Sequence, residues 1–252
     1  MASKSMKLLI SAPSGFNARE ILLPLASLLE TDSEIDSVVV VTPAADLRQE
    51  LFPSFSNKFT FIKNLASAEE YESKFKGLSI DVVLTPTNGL DPNDTLILRA
   101  AKGAGIATCT FVASWDNVYK MERAVWTGRD SVLPDYLGVW NEMMQRHALR
   151  LYPGLTENKV RIIGTPRFDF FTQAEKIPDS ESLRRYIGLP EDGTLIHCAT
   201  TELYPFDYVV SAIDRASKGS EIKNKLHMYA SVHPGGDIGK HEGYKKYGAM
   251  VQ

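Results

Sequence analysis

Cysteine is nearly absent from this chain: only Cys109 and Cys198 occur in 252 residues. Both lie inside apolar, strand-like runs, so they read as two buried thiols, not as a disulfide framework or a zinc site. Long hydrophobic runs are missing too. None approaches the roughly 18 residues that a membrane span needs. Leu8–Ile10, just behind Lys4 and Lys7, is far too short for a signal-peptide core, so a cytoplasmic protein is expected. Neither sign of charge dominates, with 28 Lys and Arg against 31 Asp and Glu. A net charge of −3 gives no global pull toward nucleic acid. Glycine-rich phosphate loops are also lacking: the first loop, Ser11–Asn17, holds the single glycine Gly15, which excludes a dinucleotide fingerprint. There is no short internal repeat and no low-complexity segment.

What is present is a regular alternation of short apolar runs and helical stretches. Strands are expected at Lys7–Ala12, Ser37–Thr42, Phe59–Ile62, Asp81–Leu84, Ala107–Phe111, Tyr136–Trp140, Val160–Ile163, Thr194–Ala199 and Met228–Val232. Several are continuously apolar, as parallel strands buried on both faces are. Helices are expected at Ala18–Glu30, Ala44–Leu51, Ala68–Lys76, Asn93–Lys102, Glu142–Tyr152, Ser180–Ile187 and Pro205–Ala216. Asn141 precedes one of them and is a residue type that caps helix starts. Gly164-Thr165-Pro166 stops the run before it. The pattern predicts an α/β protein with a Rossmann-like, doubly wound parallel sheet. A first domain is expected over 1–163, and a partial second Rossmann-like domain over 164–252. The second offers only two good strands, and the tail Gly239–Gln252 shows no clear element.

Ligands of open α/β sheets sit outside the carboxyl ends of the strands, and four polar segments occupy such places. In Ser11–Asn17, Gly15 permits unusual backbone angles, while Ser14 and Asn17 either cap a helix or bind a ligand hydroxyl. This segment is either an ordinary βα turn or an acceptor-binding loop. Ser114-Trp115-Asp116-Asn117 gathers an aromatic ring, a carboxylate and an amide. Asp116 has the chemistry of a general base toward a sugar or polyol hydroxyl, and Lys120 could offset phosphate charge. A structural turn around a packed Trp115 is the alternative. Thr200-Thr201-Glu202 brings hydroxyls to a helix start, where free N–H groups and the helix dipole favour an anion. Plain capping is its alternative. His233, followed by Pro-Gly-Gly, would suit a diphosphate contact or a simple turn. His147, His197 and His227 lie within elements and read as structural; His241 is assigned nothing. No residues are assigned to a metal.

The ordered set Ser114–Asn117, Val139-Trp-Asn-Glu142, Val160–Asp169 and His233-Pro234 resembles the GT-B glycosyltransferase-like proteins. CDP-glycerol glycerophosphotransferases and related surface-polysaccharide biosynthesis proteins are the nearest in pattern. UDP-N-acetylglucosamine 2-epimerases resemble it more distantly. The likeness runs from about Lys7 to Asp237. It implies an amino-terminal acceptor domain, a carboxyl-terminal nucleotide-donor domain and chemistry between them. Ser14, Gly15, Asn17, Trp115, Asn117 and Lys120 would then face the acceptor, with Asp116 as the base. Thr200, Thr201, Glu202 and His233 would approach the donor diphosphate. The substrate would be a nucleotide-activated donor, with no resident cofactor, since helix dipoles and side chains can stabilise the leaving diphosphate.

The implied activity is transfer of a glycosyl or glycerol-phosphate group to a polysaccharide or polymer acceptor, in the cytoplasm or peripherally at the inner membrane face. Such a protein acts on no nucleic acid. The family's second domain continues well beyond its His-Pro segment, so this chain reads as truncated there. That leaves room for a homo-oligomer or a missing partner half. The alternatives are a carbohydrate- or protein-binding module derived from such an enzyme, and a sugar-nucleotide epimerase. A fragment ending at Gly164 should fold by itself, because most expected strands precede it. Circular dichroism and a cooperative thermal transition are the check, and an aggregated fragment would place the boundary elsewhere.

Overall fold

The computed structural model describes residues 5–13, 21–43, 57–86, 91–114, 118–119, 121, 132–172, 177–190, 193–200, 206–220, 225–232 and 250–251. The chain forms two compact units, Met1–Ala174 and Glu175–Gln252. In the first, β1 (Met6–Ser11), β2 (Ile35–Thr42), β3 (Phe59–Lys63), β4 (Val82–Thr85), β5 (Ala107–Phe111), β6 (Tyr136–Val139) and β7 (Val160–Ile162) form one sheet. Its order is β3-β2-β1-β4-β5-β6-β7, and every pairing is parallel. The helices are α1 (Leu23–Thr31), α2 (Ala68–Leu78), α3 (Pro92–Gly103) and α4 (Glu142–Leu151), followed by a 3-10 helix, Pro166–Thr172.

The apolar runs have a direct cause in this sheet. Along β1, Leu9 packs with Val39, Tyr71, Phe75 and Ile97 on one face. Its neighbour Ile10 packs with Ile21, Leu22, Val38 and Leu84 on the other. Successive side chains on a strand point to opposite faces, so a sheet covered on both sides has no polar face to alternate with. A third cluster joins α4 to the far strands, through Met144, Ala148, Leu137, Val139 and Val160.

Helix starts follow the capping residues. Ser67 accepts from the Glu70 amide, Asp91 from the Asn93 amide with Pro92 behind it, and Asn141 from the Met144 amide at 3.0 Å. The cap expected at Asn141 is therefore present. Gly164 takes φ of 73°, a left-handed angle that glycine adopts without strain, and the chain breaks there as its Gly-Thr-Pro sequence predicts.

At the amino ends of the strands an aspartate latch occurs twice. Asp81, just before β4, accepts from the Lys7 amide of β1 at 2.9 Å. Asp135, just before β6, accepts from the Thr108 amide of β5 at 2.9 Å and from the Thr108 hydroxyl at 2.7 Å.

The second unit holds α5 (Ser180–Tyr186), β8 (Thr194–Thr200), α6 (Phe206–Ser217), β9 (Leu226–Val232) and β10 (Met250–Val251). Its strands run in the order β10-β9-β8, all parallel. Asp179 caps α5 through the Ser182 amide at 2.7 Å, and Arg184 reaches the Pro190 and Gly193 carbonyls at 3.2 and 3.0 Å.

One expectation changes. The tail, expected to show no clear element, supplies β10, so the described residues of this unit form three strands instead of two. Two residues give no readable period, and their pairing with Tyr229 and Ala230 fixes them as a strand. The stretch 164–179, expected to hold no clear strand, carries the 3-10 helix and no strand among its described residues. Regular α-helix in α1 runs from Leu23, after a wider turn at Ile21–Leu22, and the first residues of the helix expected from Ala18 lie outside the described residues. The helix expected at Ala44–Leu51 lies outside the described residues.

Burial alone would raise the Asp135 carboxyl, but the Thr108 bonds, with Lys102 and Lys159 nearby, outweigh it and hold it below the usual carboxylate range. A depressed folded-state pKa adds stability that is complete above the unfolded value of about 3.9 and disappears as pH falls through the folded value. The carboxylate is partly exposed, so the effect should be about 1 kcal/mol or less. Asp135→Asn should lower the thermal midpoint at pH 7 and match the native chain at acid pH. An equal deficit at both pH values would mean that the latch does not depend on charge.

Candidate functional site

In the first unit the winding reverses between β1 and β4, which are neighbours in the sheet although β2 and β3 lie between them in sequence. A crevice opens outside the carboxyl ends at such a reversal, and the side chains there are small and polar. Ser11 ends β1, Thr42 ends β2 and Thr85 ends β4, all 1% exposed or less. The Ser11 hydroxyl donates to Asp94 Oδ1 at 2.5 Å. Asp94 lies in the first turn of α3 and is fully buried. A helix start favours a carboxylate through its dipole and free N–H groups. Thr85 and Thr110 share a hydroxyl hydrogen bond of 2.8 Å. Beside them the buried Tyr71 hydroxyl donates to Asn93 Oδ1 at 2.7 Å and accepts from the Leu65 amide at 3.0 Å. The Thr42 hydroxyl is buried with no hydrogen-bond partner among the described residues, an uncommon state for such a group.

Farther along the same edge, Trp140 Nε1 donates to the Val112 carbonyl at 2.5 Å. The Arg167 guanidinium stands 5.6 Å from the Trp140 ring centre and 4.6 Å from that of Phe168, within cation–π range. A narrow, mostly apolar crevice runs between Ile21, Phe111, Ile163 and this pair. Gly138 lies against two of these side chains: a Cβ there would lie 2.6 Å from Ile163 and 2.9 Å from Phe111. Another, larger surface depression lies on α2 around Glu70, Ser73 and Lys74, with Leu65 shortly after β3.

Most of the residues singled out from sequence fall outside the described residues: Ser14, Gly15, Asn17, Trp115, Asp116, Asn117, Lys120, Thr201, Glu202 and His233. Their flanks are described. Ser11 leads toward the first group. Ser114 and the buried Val118 bracket the second, and the Val118 carbonyl accepts from the Tyr152 hydroxyl at 2.5 Å. Thr200 ends β8 and is in register with Val232 at the end of β9, the residues that precede Thr201 and His233. Sequence reasoning did not single out Asp94, Thr42, Thr85, Trp140 or Arg167 as site residues. The available signal for Asp94 was Asp91-Pro92, a helix start shortly after β4.

Among the described residues no three His, Cys, Asp or Glu side chains converge as a metal site would require. No described helix is long and apolar enough to cross a membrane. His147 lies mid-helix in α4, its ring 5.9 Å from that of Tyr119.

No family model and no curated protein matches the chain. Solved structures do. A Staphylococcus aureus protein, MnaA, in complex with UDP has a TM-score of 0.63 at 14% identity, covering 96% of this chain and 65% of that one. A Neisseria meningitidis UDP-GlcNAc 2-epimerase bound to UDP-GlcNAc has a TM-score of 0.63 at 12% identity, covering 98% and 72%. A glycosyltransferase from Rickettsia africae has a TM-score of 0.60 at 14% identity, covering 98% and 68%. The fold is therefore the GT-B type, shared by glycosyltransferases and UDP-GlcNAc epimerases. This chain spans about two thirds of the length of the structures it matches.

Burial pushes the Cys109 thiol up to about 12, which removes thiolate chemistry at neutral pH. In a Cys198→Ser variant, iodoacetamide at pH 8 should leave native Cys109 unmodified and label it in urea. Rapid native labelling, read by mass spectrometry, would show the thiol to be accessible.

Proposed function

We propose that the chain binds a nucleotide-activated donor and serves a transferase that moves a glycosyl or glycerol-phosphate group to a polysaccharide or polymer acceptor. The observation that supports this most is the buried polar edge at the β1/β4 reversal, Ser11, Asp94, Thr85 and Thr110, in a fold shared with UDP-bound structures. In this reading Ser14, Gly15, Asn17, Trp115, Asn117 and Lys120 face the acceptor. Asp116 takes the proton of the attacking acceptor hydroxyl. Thr200, Thr201, Glu202 and His233 hold the diphosphate or phosphate that departs with the nucleotide, where donors and helix starts stabilise its charge.

Two other readings stand beside it. One is a module of this fold, shared with the solved structures it matches, that holds carbohydrate or a partner protein without turnover. The UDP-GlcNAc-bound epimerase among those matches favours a sugar-nucleotide epimerase, which would release nucleotide without any acceptor.

A thermal-shift screen against UDP, CDP, GDP and their sugar or glycerol conjugates tests the proposal. A ligand at a hundred times its dissociation constant stabilises the fold by about 2.7 kcal/mol, a rise of several degrees at this size. A shift with one nucleotide class would identify the donor. No shift with any would overturn donor binding by this chain and leave the binding module.

A further inference from the structure

We propose that the exposed face of α2 is the two-fold interface of a homodimer, in which two copies of this chain pair the helix antiparallel to itself. The inference is independent of the transferase reading above. Along α2, Tyr71 and Phe75 are buried in the first unit, while Glu70, Ser73, Lys74 and Gly77 are exposed. These four recur at the spacing of a single helix face. Together with the half-buried Leu65 and Leu78 they line the depression on that helix.

Gly77 is the residue that asks for a partner. Glycine weakens a helix, so its presence needs a local reason. No such reason lies within the chain among the described residues: a Cβ at Gly77 would meet nothing within 4 Å. Nor does the helix end require it. The left-handed position of the cap is Ser79, with φ of 56°. What a missing side chain on an exposed face does allow is the close approach of a second backbone.

The charges indicate which backbone. Glu70 and Lys74 lie four residues apart, about 6 Å along the axis. A two-fold axis crossing the helix midway between them exchanges their levels. Each copy's Glu70 then faces the partner's Lys74, and each Lys74 the partner's Glu70, the reciprocity that a two-fold interface requires. The same operation sets Gly77 opposite Ser67 of the partner subunit, at its helix start. Among the described residues Lys74 enters no ion pair. The helix dipole favours acidic groups in a first turn, which accounts for Glu70 but not for Lys74 in mid-helix, and not for Gly77.

Sedimentation equilibrium of the full chain tests this. The native chain should reach twice the monomer mass at high micromolar concentration. Gly77→Leu should weaken the dimer by about tenfold or more, because each substitution acts twice across a two-fold. Leucine favours a helix over glycine, so this variant should keep or raise the thermal midpoint measured at monomeric dilution. That opposition separates a lost interface from a lost fold. Glu70→Lys and Lys74→Glu should each weaken the dimer similarly, since each sets like charges face to face. Mixed in equal amounts, these two variants should re-form it, because each then meets the opposite charge at both levels.

If Glu70→Lys, which also loses the bond that Glu70 accepts from the Ala66 amide, does not fold, Gly77→Leu and Lys74→Glu carry the test. A native chain that stays monomeric throughout would leave this face to a different partner and overturn the assignment. A dimer that survives both Gly77→Leu and Lys74→Glu would place the interface elsewhere and overturn it as well. Neither result depends on nucleotide binding, so this assignment and the functional reading fail separately.

Discussion

Burial of one parallel sheet on both faces is the constraint from which the rest of this structure follows. With Leu9 and Ile10 in opposite cores, the middles of β1, β2 and β4 are apolar. Their polar side chains lie toward the ends of the strands. The amino edge uses polar groups for stability, through Asp81 and Asp135. The carboxyl edge collects Ser11, Thr42, Thr85, Thr110 and Asp94, groups that cost free energy to bury and that cluster where the winding reverses.

The two edges differ in what their carboxylates see. Asp135 is partly exposed, shares its charge with Lys102 and Lys159, and is easily described as a latch. Asp94 has no exposure and bonds a serine hydroxyl across the reversal. Exposure lets water screen the first, while the second is held in a low-dielectric setting where each hydrogen bond counts for more. A similar contrast separates the aromatic corner at Trp140, Arg167 and Phe168 from the surface depression on α2. The corner is built from residues just past the carboxyl ends of β5, β6 and β7, where this fold class places ligands, and the depression chiefly from one face of α2.

The relation between the two units is one of shared design at different sizes. Both are built from parallel strands joined through helices. Among the described residues the first has seven strands and three buried clusters, whereas the second has three strands. Small sheets bury proportionally less surface. Leu195, Tyr186 and Tyr208 are exposed in the second unit, at 37%, 77% and 75%, as Leu28, Met143 and Phe171 are in the first.

Much of this was readable from residues. The nine expected strands are all present, because a run such as Val38–Val41 fits a strand buried on both sides and little else. Asn141 and Gly164 announced a helix start and a chain break through local geometry alone. Local pattern failed where local signal was thin: Met250–Val251 is a strand only because Tyr229 and Ala230 lie beside it. The segments bearing Gly15, Asp116 and His233 were legible as loops beyond strand ends, which is a statement about position along the chain. Which polar groups meet at those ends was not legible. Asp94 in its sequence reads as an ordinary acidic residue in a first helical turn. Only the sheet order, which puts β4 against β1 and carries α3 over it, brings that carboxylate to Ser11 and out of water. Sequence determined the elements because their causes act within a few residues. The tertiary structure decided the site because its bonds join residues that only long-range strand pairing brings together.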